Sequence, residues 1–359
     1  MDPTSATGCD EAADVGFDLM HADLLRFFPD LVNDLGGDAD DLLRRAGVDP
    51  VAFSNTRSNL GYRCWVQLLE QAAAELHRPD FGLRLAALQG GKVFGPVGVV
   101  MRNSNTFGEA VTYVANHSHA HSLAARVRLE RDEASGGLFV GHEILLDRQP
   151  NKRQAIEQLL LLGHLNAMET TGGTARVREV RFRHQPLSPM RTYRRYFGCE
   201  VRFDQREDGV IYSERDLACP LVEPDAQLYE MATAFIDKRF VRVTPPMHAR
   251  VRALIVQFIE ADDCSNEHVA AELGLHPRTL HRRLKAEGRS FEGIKDEVRR
   301  DVALRYLKET DLPLTLVAQK LGYAEQSVLT RSCVRWFATS PSQLRSQTRD
   351  SLGPKPTQG

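Results

Sequence analysis

The chain has 359 residues, 42% of them hydrophobic and 26% charged, which is the composition of a globular protein with room for two separate cores. No apolar run reaches the ~20 residues that cross a bilayer; the longest, Leu159 to Leu165, is interrupted by Gly163 and His164. The net charge of -2 excludes a strongly basic or acidic protein, yet residues 275–347 carry 14 Lys or Arg against 8 Asp or Glu, so the acidic excess lies upstream.

Residues 1–16 are small, polar and acidic, a composition that predicts disorder. They lack the cationic start and apolar stretch of a secretory signal, so a cytoplasmic location is expected, with no membrane partner. Cys9, Cys64, Cys199, Cys219, Cys264 and Cys333 form no Cys-x-x-Cys pair, which predicts reduced thiols rather than a disulfide or zinc framework.

Residues 17–224 read as one α+β domain. Trp65, Leu68, Leu69, Ala72, Ala73 and Leu76 recur at helical spacing within a helical stretch from Asp38 to Leu88. A glycine-rich loop follows from Gly90 to Gly98, with no Lys-Ser or Lys-Thr after it and so no phosphate loop. Thr106 to Asn116 predicts a helix capped by Asn105 or Thr106. Leu123–Glu130 and Leu138–Leu146 alternate like strands around turn residues, which predicts a hairpin. Gln154–Met168 is a helix with an apolar face. Val177–His184 and Glu200–Phe203 read as strands around a short helix from Arg191 to Phe197. Residues 225–246 read as a linker: a helix closed by Pro245-Pro246, which cannot continue it. From 247 to 347 the chain is all helix and short turn, and 348–359 is expected to be a disordered tail.

An internal repeat carries the functional argument. Val269-Ala270, Leu273-Gly274-Leu275 and Leu280 recur 48 residues later as Val317-Ala318, Leu321-Gly322-Tyr323 and Val328. The helix-turn-helix unit needs that spacing. The alanine lies where two helices touch, and the glycine ends the first in a left-handed turn. The apolar residue six places on anchors the second helix, and Pro277 suits its first position. The exposed positions of the second helices are then candidate DNA contacts: Arg278, Thr279, His281, Arg282, Arg283 and Lys285 in the first unit, and Gln326, Ser327, Thr330 and Arg331 in the second. Arginine pairs with guanine and glutamine with adenine in the major groove, whereas lysine suits phosphate. The first helix is the more cationic, so unequal grip is expected.

The run Leu273 to Gly288, with Arg299 and Ala303, then Val317-Ala318, Leu321-Gly322-Tyr323, Arg331, Trp336, Ser340-Pro341 and Arg345, resembles the AraC/XylS family of transcription regulators. The resemblance implies that double-stranded operator DNA is the partner. It implies two units that enter successive major grooves, joined by a rigid helix over Phe291–Lys308. It also implies a homodimer, control by a small molecule, activation more than repression, and RNA polymerase as a further contact. Leu329 and Cys333 stand where that family usually has aromatics, Val334 where it often has lysine, and Ala338 where it often has glycine. Upstream, Asp80-Phe81-Gly82-Leu83-Arg84, Gly95 to Gly98, Thr106 to Ala110 and Tyr196-Phe197-Gly198 resemble the arabinose-binding-type sensor domain of one branch, without identifying the effector.

Other features point weakly elsewhere. His117, His119 and His121 would share one face of a strand and, with His142, could bind metal. That is the only opening for a metal-binding or enzymatic upstream domain; no cofactor or metal site is expected. Arg191, Arg194 and Arg195 could clamp a carboxylate but read better as a solvated helix face. No catalytic motif occurs, so no enzyme is expected.

Overall fold

The computed structural model describes residues 19–50, 59–146, 151–240, 245–259 and 264–352. The segment 1–16 lies outside them. The chain divides into two compact units on either side of the Pro245–Pro246 bond.

The first unit opens with helices α1 (Phe28–Asp34) and α2 (Ala39–Arg45), then α3 (Tyr62–Glu75) and α4 (Phe81–Gln89). Strands β1 (Leu19–His21) and β2 (Asn59–Gly61) pair antiparallel. The stretch 38–88 is therefore not helical throughout. Helices α5 (Gly95–Asn103) and α6 (Phe107–His117) follow. Pro96 sits in the first turn of α5, where its missing N–H costs nothing, so the expected loop from Gly90 to Gly98 gives way to helix at Gly95. Thr106 caps α6, accepting from Glu109 N at 3.2 Å.

Strands β3 (Ala125–Arg131) and β4 (Leu138–Ile144) form the expected hairpin. They are followed by α7 (Arg153–Thr170), β5 (Glu179–Arg181), α8 (Met190–Phe197), β6 (Glu200–Arg202), β7 (Gly209–Tyr212) and α9 (Glu214–Leu217). The five strands are ordered β3-β4-β7-β5-β6. Only β5 and β6 run parallel, and α8 is the crossover that parallel pairing requires.

Helix α7 passes through the middle of this unit with Leu159 to Leu162 all buried. Two of its buried glutamines are fully bonded. Gln158 donates to Leu24 O (2.9 Å) and Gln89 Oε1 (2.7 Å) while accepting from Trp65 Nε1 (3.1 Å). Gln154 Oε1 accepts from Gly82 N at 2.7 Å. A Cβ on Gly82 would stand 2.2 Å from Gln154 O, so only glycine lets α4 close on α7 there.

Helix α10 (Ala226–Arg239) was expected to belong to a linker, but it packs on the first unit. Ile236 is fully buried in the first core, Tyr229 and Ala232 pack against it, and Asp225 N donates to Asn103 Oδ1 at 2.9 Å. Apolar residues on one face of a helix need a surface to cover them, and α5 is at hand.

The second unit is all helix: α11 (Met247–Phe258), α12 (Asn266–Glu272), α13 (Pro277–Ala286), α14 (Phe291–Glu309), α15 (Leu314–Lys320), α16 (Gln326–Phe337) and α17 (Pro341–Leu352). The last is assigned to Leu352, and residues 353–359 of the expected tail lie outside the described residues. Ser340 and Gln343 form a reciprocal cap, Ser340 N to Gln343 Oε1 at 3.1 Å and Gln343 N to Ser340 Oγ at 3.3 Å. The helix so started runs to Leu352, next to Gly353-Pro354, residues that end helices. No helix among the described residues is long and apolar enough to cross a membrane.

Candidate nucleic-acid interface and an apolar cavity

Two helix-turn-helix units arise from the repeat. In the first, Ser265 caps α12 by accepting from His268 N at 3.1 Å. The helix closes with Gly274 at φ 65°, while Leu275 N donates to Ala270 O at 2.8 Å. In the second, Gly322 also has φ 65°, and Tyr323 N donates to Ala318 O at 3.0 Å. Val269, Ala270, Val317 and Ala318 are buried where the helices meet.

Beyond the glycines the repeat slips by one residue. His276 caps α13, its Nδ1 accepting from Arg278 N at 3.2 Å, with Pro277 first in the helix. The matching cap of α16 is Glu325, which makes the second turn one residue longer. Leu280 and Leu284 anchor α13, and their counterparts are Leu329 and Cys333, both fully buried. Val328, expected as the anchor, is only half-buried. The expectation failed because an offset of 48 also lands on an apolar residue.

In this corrected frame Arg331 is the counterpart of Arg282, Thr330 of His281, Ser327 of Arg278 and Val334 of Lys285. Arg278, His281, Arg282, Arg283, Lys285, Gln326, Ser327 and Arg331 are exposed, and Thr279 and Thr330 are half-buried. Among the described residues, Arg278, Arg282, Arg283, Lys285 and Arg331 form no ion pair. The arginines that hold the unit together do: Arg252 and Arg300 with Asp301, Arg289 with Glu297, and Arg335 with Asp296. Folding therefore consumes one set of cations and leaves another, concentrated on α13, facing solvent. On α16 the exposed face is nearly neutral. Ser327 Oγ donates to Glu325 Oε2 at 3.0 Å, Thr330 Oγ1 bonds back to Gln326 O at 3.2 Å, and Val334 is 52% exposed.

Helix α14 ties both units down. Toward the first, Lys295 donates to Cys264 O at 2.5 Å and Asp301 accepts from Arg252 at 2.5 Å. Toward the second, Arg299 donates to Leu321 O (2.9 Å) and Gly322 O (3.2 Å), with its guanidinium 4.4 Å from the Tyr323 ring centroid. These carbonyls lie at the C-terminal end of α15, which has no intrahelical donors left for them. Asp296 accepts from Trp336 Nε1 at 2.9 Å. Glu287 holds the start of α11, accepting from Met247 N (2.7 Å) and His248 N (2.8 Å). Burial acts to raise the Glu287 carboxyl, but these amides and the His248 side chain outweigh it and hold it below the usual range.

The first unit holds a partly open cavity of about 110 Å³ between its sheet and α5, α6 and α7. Val97, Met101, Phe107, Val111, Leu159 and Leu160 supply apolar wall, and Ser118, His121, His142 and Tyr212 the polar atoms. His142, paired with Val127 across the hairpin, is pushed down to about 4 by burial and by the neighbouring His121. Sequence reading assigned no ligand residues. The cavity draws on six separated segments, which leave no local motif. His117 ends α6 and stacks on Tyr113 at 3.9 Å, while His119 and His121 lie in the following turn, so the three do not share a strand face. Among the described residues no three His, Cys, Asp or Glu are grouped to hold a metal. Arg191, Arg194 and Arg195 are exposed and do not line the cavity.

An α+β unit with an apolar cavity, attached to a helical unit that displays two helix-turn-helix faces, is the build of a DNA-binding transcription regulator. Residues 36–221 match the arabinose-binding domain of AraC transcription regulators, and residues 269–347 a helix-turn-helix domain. The chain belongs to the AraC family of transcription regulators. It is 34% identical over 328 residues to the HTH-type transcriptional regulator VirS of Mycobacterium tuberculosis, covering 91% of this chain and 96% of that one. It is 27% identical over 323 residues to the ornithine utilization regulator of Pseudomonas aeruginosa, covering 88% and 93%. The transcriptional activator NphR of a Rhodococcus species is 28% identical over 122 residues, 33% of this chain and 36% of that one. Its domains and relatives are those of regulators, not enzymes.

Proposed function

We propose that the chain is a sequence-specific activator, acting in the cytoplasm as a homodimer, whose operator binding responds to a small organic molecule held in the first unit. The observation that carries the DNA-binding face is the row of exposed, unpaired cations on α13. In this reading Arg278, His281 and Arg282 meet base edges, and Thr279, Arg283 and Lys285 meet the backbone. Gln326, Thr330 and Arg331 read a second groove, and Ser327, already bonded to Glu325, adds little. Helix α14, at 19 residues, is ~28 Å long, close to the ~34 Å between successive major-groove faces. The cavity supports the effector role. Activation is inferred from the Rhodococcus relative, a transcriptional activator, and contact with RNA polymerase would follow from it. The homodimer is supported by Leu228, Met231 and Phe235, exposed along one face of α10.

The test is binding of the full-length protein to DNA flanking its own gene, over a range of salt and against nonspecific duplex, with the mass of the complex read by sedimentation. One fragment retained at physiological salt, by a protein dimer, supports the reading. Equal binding to all fragments that collapses with salt leaves only phosphate contact and overturns sequence specificity. A monomer on the operator removes the dimer.

A further inference from the structure

Helix α7 contains a glycine at an interior position, Gly163, where alanine would favour the helix. Interior glycines usually mark close approach, as Gly82 does. Gly163 marks the opposite: a Cβ built there meets no atom within 4 Å. The space it leaves open is the cavity, whose wall it forms. The helix thus keeps a less favourable residue where any side chain would enter a hole in a packed core.

The walls of that hole restrict its occupant. Its lining includes no Asp, Glu, Lys or Arg. An ion would lose its hydration there without a counter-charge. A sugar or an amino acid would carry more polar groups than the Ser118, His121, His142 and Tyr212 side chains could satisfy. The His142 imidazole lines the cavity, and its Nε2, which has no hydrogen-bond partner, is closed to a water-sized probe, so a small turn of the ring is needed to present it to a ligand. Unpaired buried polar atoms are rare, and a ligand group is one way to complete them. A hole of this size suits a molecule of roughly six to ten non-hydrogen atoms, since an engineered cavity of comparable size takes up benzene.

We propose that the effector is an uncharged, compact, mostly apolar molecule with one hydroxyl group, its apolar body filling the space left by Gly163 and its hydroxyl bonded to His142. This rests on the regulator reading above and names the chemical class that the cavity accepts. The imidazole is neutral at physiological pH, so it can accept the hydroxyl proton or donate to the hydroxyl oxygen.

Benzyl alcohol, toluene and benzoate are suitable probes, added to the full-length protein at pH 7.5 and followed by calorimetry and thermal shift. Benzyl alcohol is expected to bind with a micromolar to millimolar Kd, toluene about 5–30-fold more weakly, and benzoate not detectably. In His142→Leu the alcohol should fall to the affinity of toluene, with toluene little changed. In Gly163→Leu, which extends into the hole from a position where a Cβ meets no atom within 4 Å, both should lose binding while the thermal midpoint holds or rises. Gly163→Ala, a smaller change, should weaken both in proportion. Benzoate binding as tightly as the alcohol, no probe binding at all, or full binding by folded Gly163→Leu would each overturn the proposal. Operator binding by the unsubstituted protein without probe is read separately. Its failure removes the regulator reading, whereas its success beside inert probes removes only this one.

Discussion

Replacing Arg299 with alanine tests whether α14 holds the second helix-turn-helix unit in place. Arg299 is half-buried and donates from one guanidinium to Leu321 O and Gly322 O while covering Tyr323. A hydrogen bond from a charged donor contributes about 1.5–3 kcal/mol. A partly exposed cation–π contact adds about 0.5–1 kcal/mol. Partial exposure lets water replace some of both, so the net loss is put at about 2–4 kcal/mol. With a urea slope of about 2 kcal/mol/M, the midpoint of the DNA-binding unit should fall by about 1–2 M. Operator affinity should fall as well, although Arg299 is not among the proposed DNA contacts. Arg299→Lys should recover less than half of the loss, because one ammonium cannot reproduce the fork. Equilibrium urea unfolding of the full-length protein, followed by a probe in the second unit, is the assay. A midpoint within 0.3 M of the parent (roughly the error of such curves) together with unchanged operator affinity would refute the reasoning.

Arg282→Ala should behave in the opposite way: no ion pair is lost, so the urea midpoint stays put, while specific binding weakens by about 1–3 kcal/mol in titrations against the operator. Equal loss on nonspecific DNA would make Arg282 a phosphate contact instead. Ala338 ends α16 in the left-handed region at φ 55°, where a Cβ is strained, so Ala338→Gly should stabilise the second unit by about 1 kcal/mol in the same unfolding assay; destabilisation would contradict this. Burial raises the Glu157 carboxyl well above its usual range, against the opposing effect of its bond from Tyr193 Oη at 2.7 Å. The folded state therefore binds the proton more tightly than the unfolded one, and this group's contribution is full below about pH 4 and lost as pH rises through the raised value. Glu157→Gln should flatten the fall in first-unit stability as pH rises above the usual carboxylate range. An unchanged pH slope in chemical denaturation would show that Glu157 ionises freely.

Much of this architecture is legible in sequence because it repeats. The glycines at 274 and 322 share one φ, and both Val-Ala pairs are buried, as the spacing requires. The one-residue longer turn before α16 was not legible, because Val328 satisfies the pattern as well as Leu329 does until burial separates them. Strand β7, Gly209–Tyr212, is four residues buried on both faces, too short to show a period. The cavity could not be read, since its walls are separate in sequence and Gly163 looks like a flaw in an apolar run. It becomes informative only when the space beside it is known.

The most direct test of the account is selection of duplexes from a random library by the full-length protein, followed by hydroxyl-radical footprinting of the winners. Two recognition helices joined by α14 should enrich two short motifs about one helical turn apart, protected on one face of the duplex. The motif read by α13 should be the more strongly constrained. A single motif, with no second protected face a turn away, would contradict the claim that both units read DNA.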